Sequence, residues 1–166
     1  MKKSYRTLEF SFIQDYIKNY CFSEMAKKRI DQIQPFQDID DLKLYQDDIS
    51  SAMKIIYAYG RIPLAPYEDI KEILQKAQKG GVCYPQDLLK IVQILKNVQE
   101  VQAYLDQEIE QSHLLEILSL LYLPKDLYNE ILKCVDPSGN IYDHASHELY
   151  RLRRQISAIE ANMRKK

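Results

Sequence analysis

Tryptophan is absent from these 166 residues, glycine occurs only four times, and proline six. With so few chain breakers, and with no low-complexity tract, the chain is not of the disordered class. Apolar runs extend only a few residues, far short of the ~20 that a bilayer span needs, which excludes a membrane helix. Three cysteines, Cys21, Cys83 and Cys134, stand far apart. An odd number without C-x-x-C spacing suits free thiols in a reducing compartment, expected as buried small hydrophobes. Also missing are a P-loop, a G-x-G-x-x-G, a nucleophile elbow and an H-E-x-x-H. No catalytic set can be named, so no enzyme activity and no bound cofactor is assigned to this chain itself. The basic start, Met1-Lys2-Lys3-Ser4-Tyr5-Arg6, leads into Thr7-Leu8-Glu9-Phe10 rather than an apolar signal core, and the expected compartment is the cytoplasm.

Hydrophobic residues make up 46% of the chain, enough for a real core at this length. They recur at helical spacing nearly everywhere: Phe10, Ile13, Ile17 and Tyr20 in a first helix, Leu42, Tyr45, Ile49, Met53 and Ile56 in a third. Ser23 is placed to cap the second helix, Gly60 follows the third, and Pro66 is placed to open a fourth that stops at Lys79-Gly80-Gly81. A long fifth helix starts near Pro85 and keeps Leu88, Ile91, Leu95, Val98, Leu105 and Ile109 on one face to about Gln111, interrupted only at Gln102. Leu114–Tyr122 and Lys125–Cys134 follow, the latter opened by Pro124. Val135-Asp136-Pro137-Ser138-Gly139-Asn140 reads as a turn, and Ile141-Tyr142-Asp143 as an extended link. The expected class is all-α, with a multi-helix core over residues 1–143 and no linker dividing it.

The stretch from 144 to 166 differs. Leu149, Leu152, Ile156, Ile159 and Met163 alternate steps of three and four, the a/d seam of a coiled coil. No Gly, Asn or Pro closes the helix after Met163, and the expectation is that the natural polypeptide continues. Charge is uneven too: six basic residues stand against two acidic from His144 onward, whereas residues 1–143 carry 17 basic and 22 acidic. A cationic helix can follow phosphates, and it can equally be the solvated face of a coiled coil.

Other clusters have plainer explanations. Asp143, His144 and His147 are of metal-ligand type, with the histidines on one side of a helix at i, i+3, but a capping Asp143 or Ser146 and two exposed histidines explain them as well. Gly80-Gly81 reads as a helix stop, not a phosphate loop. The pairs Asp40-Asp41 and Asp47-Asp48 read as solvated helix faces. Thirteen tyrosines could stack on bases, yet Tyr20 and Tyr45 fall on apolar stripes and are expected to pack with the hydroxyl at the rim. Tyr57 and Tyr59 beside Gly60-Arg61 form a possible contact surface.

Three stretches carry a resemblance. Leu8-Glu9-Phe10 with Ile13, Ile17, Cys21, Ser23-Glu24 and Ala26-Lys27 is the first; Gly60-Arg61-Ile62-Pro63-Leu64, Asp69-Ile70, Ala77, Lys79-Gly80-Gly81-Val82 and Leu88-Leu89 form the second. The third and most specific is Asp136, Gly139, Ile141, Asp143, Ala145-Ser146, Glu148-Leu149 and Arg153-Arg154-Gln155-Ile156, with Leu152 where the pattern usually has Ile. In these the chain resembles the amino-terminal region of MutS type two, the bacterial MutS branch without a mismatch-reading domain, from about Thr7 to the end.

The resemblance implies a core and lever region whose last helix begins a long antiparallel coiled coil reaching a clamp. It implies an ATPase domain using ATP and Mg beyond this chain, homodimerisation mainly through that domain, often a terminal nuclease-like domain, and a nucleic-acid partner: branched DNA in recombination control, or the ribosome and its RNA in collision rescue. Within this frame Leu149, Leu152, Ile156, Ile159 and Met163 hold the lever, and Arg151, Arg154, Arg164 and Lys165 are the candidate phosphate contacts. Asp136, Gly139, Asp143, Ser146 and Arg153 are the family's motif positions. The rival reading is a freestanding helical interaction protein that pairs through its terminal coiled coil. If Asp143, His144 and His147 only cap and solvate a helix, zinc or nickel titrated into the protein leaves its melting temperature unchanged; a rise would establish a metal site.

Overall fold

The computed structural model describes residues 9–105 and 112–164. Leu8, the expected last turn of the long helix through Ile109 to Gln111, and Lys165 lie outside the described residues. Within them the chain forms eight α-helices and no strand: α1 Phe10–Lys18, α2 Glu24–Asp31, α3 Ile39–Tyr59, α4 Lys71–Gln78, α5 Pro85–Leu105, α6 His113–Ser119, α7 Lys125–Cys134 and α8 His147–Met163, with one 3₁₀ turn at Asp143–Ala145. The all-α expectation is met. None of these helices is long and apolar enough to cross a membrane.

Local chemistry starts and stops the elements. Ser23 sits in extended backbone and its Oγ accepts the Ala26 N–H at 3.2 Å; Asp38 caps α3, Ser112 caps α6 and Ser146 caps α8 in the same way. Acidic Glu24, Asp40, Asp41, Glu116 and Glu148 occupy first turns, where the exposed N–H groups favour negative charge. Helix α4 ends in a Schellman turn: Gly80 has φ of 76°, its N–H reaches the Ala77 carbonyl and the Gly81 N–H reaches the Lys76 carbonyl, both at 2.9 Å. Gly80-Gly81 is therefore a helix stop.

Pro66 does not open α4, which begins at Lys71. Residues 61–69 stay extended because their backbone is engaged elsewhere. The side-chain amide of Asn97 accepts from the Ala65 N–H at 3.1 Å and donates to the Ala65 carbonyl at 2.9 Å. Tyr67 donates its N–H to the Phe22 carbonyl at 3.4 Å, beside a parallel bridge between Ser23 and Tyr67. A helical turn here would break all of these.

The chain forms two compact units, each built from two stretches: Met1–Asp69 with Lys96–Tyr122, and Ile70–Leu95 with Leu123–Lys166. Of the three passages between the units, the one from Leu95 to Lys96 lies within helix α5, and those at Asp69–Ile70 and Tyr122–Leu123 lie between helices.

In the first unit, Ile55, Val101 and Tyr104 are buried with Asn97 and Ser23. The Tyr104 hydroxyl donates to the Gly60 carbonyl at 2.7 Å, tying the end of α3 to α5. Gln102, an apparent gap in an apolar face, donates to the Leu121 carbonyl at 2.8 Å and holds the end of the α6 segment. Lys18 pairs with Asp15 and Asp31, and Gln14 donates to the Ile30 carbonyl at 2.8 Å, fastening α1 to α2. In the second unit the buried hydrophobic residues are Ile73, Leu95, Leu123, Ile131 and Val135.

Several packing expectations are corrected. Cys21, Cys83 and Cys134 are all part-exposed free thiols rather than buried hydrophobes. Tyr20 and Tyr45 are more than half exposed; they lean on Tyr16 and Phe36 at ring separations of 5.5 and 4.9 Å instead of entering a core. Asp48 is not a bystander on a solvated face, since both its oxygens lie 3.0 Å from Nδ1 of His113, joining α3 to α6. For the tyrosines, the apolar stripe is wider than the few residues that the packed helices cover.

Asn97→Ala leaves the Ala65 N–H and carbonyl without partners in a part-buried setting, and is expected to cost about 2 kcal/mol in urea unfolding. Gln102→Ala, which frees a single carbonyl, costs about half as much.

Candidate functional site at the root of the terminal helix

The five motif positions converge on one corner of the second unit. After α7 the chain reverses around Asp136, whose Oδ1 accepts the N–H groups of Ser138 and Asn140 at 2.8 Å each, while Oδ2 accepts from the Asn140 side chain at 3.1 Å. An ionised carboxylate is the acceptor these three donors want. The Asn140 N–H above all, then its side chain and the Ser138 and Gly139 N–H groups, hold the Asp136 carboxyl below its ordinary value of 3.8. Gly139 takes φ of 83°, and a Cβ there would lie 3.1 Å from Nε2 of Gln86. The positive φ is what favours glycine, and a side chain there would also press on the end of Gln86.

The reversal returns Ile141 alongside Val135 as an antiparallel bridge, with the Tyr142 N–H on the Cys134 carbonyl at 2.9 Å. The 3₁₀ turn Asp143–Ala145 follows, and Ser146 caps α8, its Oγ accepting the Leu149 N–H at 3.0 Å. Of the two expected caps it is Ser146 that serves. Asp143 instead accepts from Arg153, two turns into α8, and the same guanidinium nitrogen donates to the Ile141 carbonyl at 2.9 Å. One arginine thus reaches back from the helix to both sides of its own entry.

This arrangement displaces the metal reading. Asp143 is committed to Arg153, and His144 lies in the 3₁₀ turn with its ring stacked on Tyr142 at 4.9 Å. His147 opens α8 beyond the extended Ser146, so the two histidines do not share a helix face. Among the described residues no group of three or more His, Cys, Asp or Glu is arranged to hold a metal ion.

Beyond the root, α8 presents its seam to solvent. Leu149 is half-buried, but Leu152, Ile156, Ile159 and Met163 are exposed by 44%, 55%, 60% and 72%, rising steadily away from the corner. The cations occupy the other faces. At about 100° per residue, Arg154 lies about 170° round from the middle of the seam, and Arg151 and Arg164 about 110° to either side. Arg151 approaches Glu148 at 4.0 Å and Arg154 rests over the Tyr150 ring at 5.6 Å, so both guanidinium groups remain open to solvent. The seam and the cations therefore occupy different faces of α8.

No family model matches the chain. Curated relatives do: the protein named Endonuclease MutS2 of Clostridium botulinum (strain Alaska E43 / Type E3) is 30% identical over 168 residues, 99% of this chain and 21% of its own length. That of Halothermothrix orenii is 31% identical over 174 residues, 99% of this chain and 22% of its own. That of Halalkalibacterium halodurans is 28% identical over 171 residues, 100% of this chain and 22% of its own.

This chain is a MutS2-related region. It spans about a fifth of the length of the curated relatives it matches. Within the MutS2-related region, Asp136, Gly139, Asp143, Ser146 and Arg153 are brought together at the corner. Arg151, Arg154 and Arg164 are spread over about 20 Å of helix at 1.5 Å per residue. Sequence reading missed that Arg153 turns inward to Ile141 and Asp143 while its neighbours Arg151 and Arg154 turn out. Its i−10 spacing from Asp143 crosses a helix start, and no helical periodicity reports such a pair.

Gly139→Ala is expected to destabilise the protein by about 1–2 kcal/mol, read from chemical unfolding, because alanine at that φ is strained and meets Gln86. Since Asp136 titrates below its ordinary value, its contribution is present at neutral pH and is lost as pH falls through the lowered value. Asp136→Asn is therefore expected to lower the melting temperature at pH 7 and to narrow its difference from the parent protein below pH 4, seen in parallel thermal melts.

Proposed function

We propose that this region is the non-catalytic core and lever module of a MutS2-type protein. In this reading the corner at Asp136 and Arg153 sets the direction of α8, and α8 begins an antiparallel coiled coil whose second strand comes from the remainder of the parent chain. The module carries the nucleotide state of an ATPase domain, fuelled by ATP and Mg outside this chain, to a clamp on nucleic acid. The observation that supports it best is the contrast within α8: a root held by Ser146 and Arg153, and an apolar seam increasingly bare toward Met163. A helix built to be anchored at one end and covered along its length has this pattern.

Arg151, Arg154 and Arg164, with Lys165, are the proposed phosphate contacts, on faces that a coiled-coil partner would leave free. The nucleic acid is branched DNA, or RNA of the ribosome. The parent's name-sharing relatives are called endonucleases, and in this reading nuclease and ATPase chemistry, and most of the homodimer contact, reside outside these residues, in a protein of the cytoplasm. The bare seam also favours a second reading, a freestanding helical protein that dimerises through α8.

Two measurements separate these readings. Sedimentation of the 166-residue chain is expected to give a monomer if the missing strand is intramolecular; a stable dimer abolished by Ile156→Lys supports the freestanding reading. In the parent protein, Arg151→Glu with Arg154→Glu is expected to weaken branched-DNA or ribosome binding by about tenfold or more and to flatten its salt dependence, leaving ATP hydrolysis without nucleic acid unchanged. Unaltered binding of both ligands would remove the contact assignment.

A further inference from the structure

Away from α8, the first unit holds a cleft of about 460 Å³ where the α1–α2 corner meets the extended segment after α3. That volume lies in the ~300–1,000 Å³ range of small-molecule sites. Its walls are cross-tied by the Ser23–Tyr67 bridge and the Tyr67 N–H to Phe22 carbonyl bond, so the cleft is pre-formed.

Its chemistry is of two kinds. The Arg61 guanidinium carbon lies over the Phe22 ring, 4.8 Å from its centroid, and among the described residues Arg61 has no carboxylate within ion-pair distance. Lys27 lines the same cleft, with its charge shared by Glu24 at 2.6 Å. The net charge of these three groups is positive. Tyr20, Pro66 and Tyr67 supply apolar and aromatic surface beside them, and Asn19 supplies an amide that can both donate and accept. A guanidinium resting on a ring keeps N–H donors whose planar fork suits phosphate oxygens, while aromatic rings accept a stacked base.

From this we propose that the cleft binds a nucleoside phosphate, with Arg61 on the phosphate and Tyr20 or Tyr67 against the base. The ligand is either a free nucleotide or one unit of a single strand. The inference stands apart from the lever reading, since no residue of α8 takes part.

The test is thermal shift and calorimetry on the full chain with AMP, a short oligo(dA), adenosine and inorganic phosphate, repeated on Arg61→Ala and Tyr67→Ala. Saturable binding of AMP or of the oligonucleotide is expected, weakened about tenfold or more in Arg61→Ala. Binding by AMP identifies a free nucleotide and binding by the oligonucleotide alone identifies a strand. Arg61 is exposed, so its variant should melt with the parent protein, and Tyr67→Ala should weaken AMP without weakening phosphate. No binding by either nucleotide probe, binding unaffected in Arg61→Ala, or phosphate alone binding as tightly as AMP would each overturn the proposal.

Discussion

The way α8 leaves its unit depends on one carboxylate collecting three donors. Asp136 takes the N–H groups of Ser138 and Asn140 and the Asn140 side chain, which reverses the chain within five residues and lays Ile141 beside Val135. Only with Ile141 in that place is there a carbonyl for Arg153 to meet, and only with Arg153 turned inward is the helix root fastened to its own entry. The order of dependence runs along the chain. Gly139 permits the turn, the turn positions the acceptor, and the acceptor orients the helix.

A second constraint is the thinness of the core. Among the described residues only eight hydrophobic side chains are buried, and many large apolar side chains on α1, α3 and α8 face solvent. Burial at roughly 25 cal/mol per Å² can stabilise only what is actually covered. Caps and specific polar clamps consequently carry an unusual share of the architecture: Asn97 on Ala65, Tyr104 on Gly60, Gln102 on Leu121, and the corner at Asp136. Polar residues that look like interruptions of apolar faces are here the fasteners between elements. The same thinness leaves apolar faces free, and the bare seam of α8 is the one that the proposed lever reading uses.

Separation of surfaces on α8 is what makes that reading mechanically coherent. With the seam on one side and Arg154 about opposite, an apolar partner and a phosphate backbone can be engaged together. Arg153, in the same basic run, is withdrawn from that face and spent on the root. The likeness to MutS2 proteins along nearly the whole chain gives this arrangement its context, and the cleft beside Arg61 is formed by residues of the first unit alone.

Helix identity was legible in the residues because it is local. Period, caps and the Gly80-Gly81 stop depend on neighbours within a few positions, and Ser23, Pro124 and Ser146 stand where the elements begin. The motif positions around Asp136 could be picked out by spacing, although not their geometry. Pro66 misled, since proline suits the first turn of a helix in general while Asn97, 31 residues on, holds this particular segment extended. Exposure of the cysteines and of Tyr20 and Tyr45, the pairing of Asp48 with His113, and the meeting of Arg61 with Phe22 are all long-range outcomes. By itself the sequence determined which segments are helical and where they stop, because those energies are summed within a turn or two. Tertiary structure alone decided which stripe is covered, which arginine turns inward and where a cleft opens, because each depends on residues brought together from distant parts of the chain.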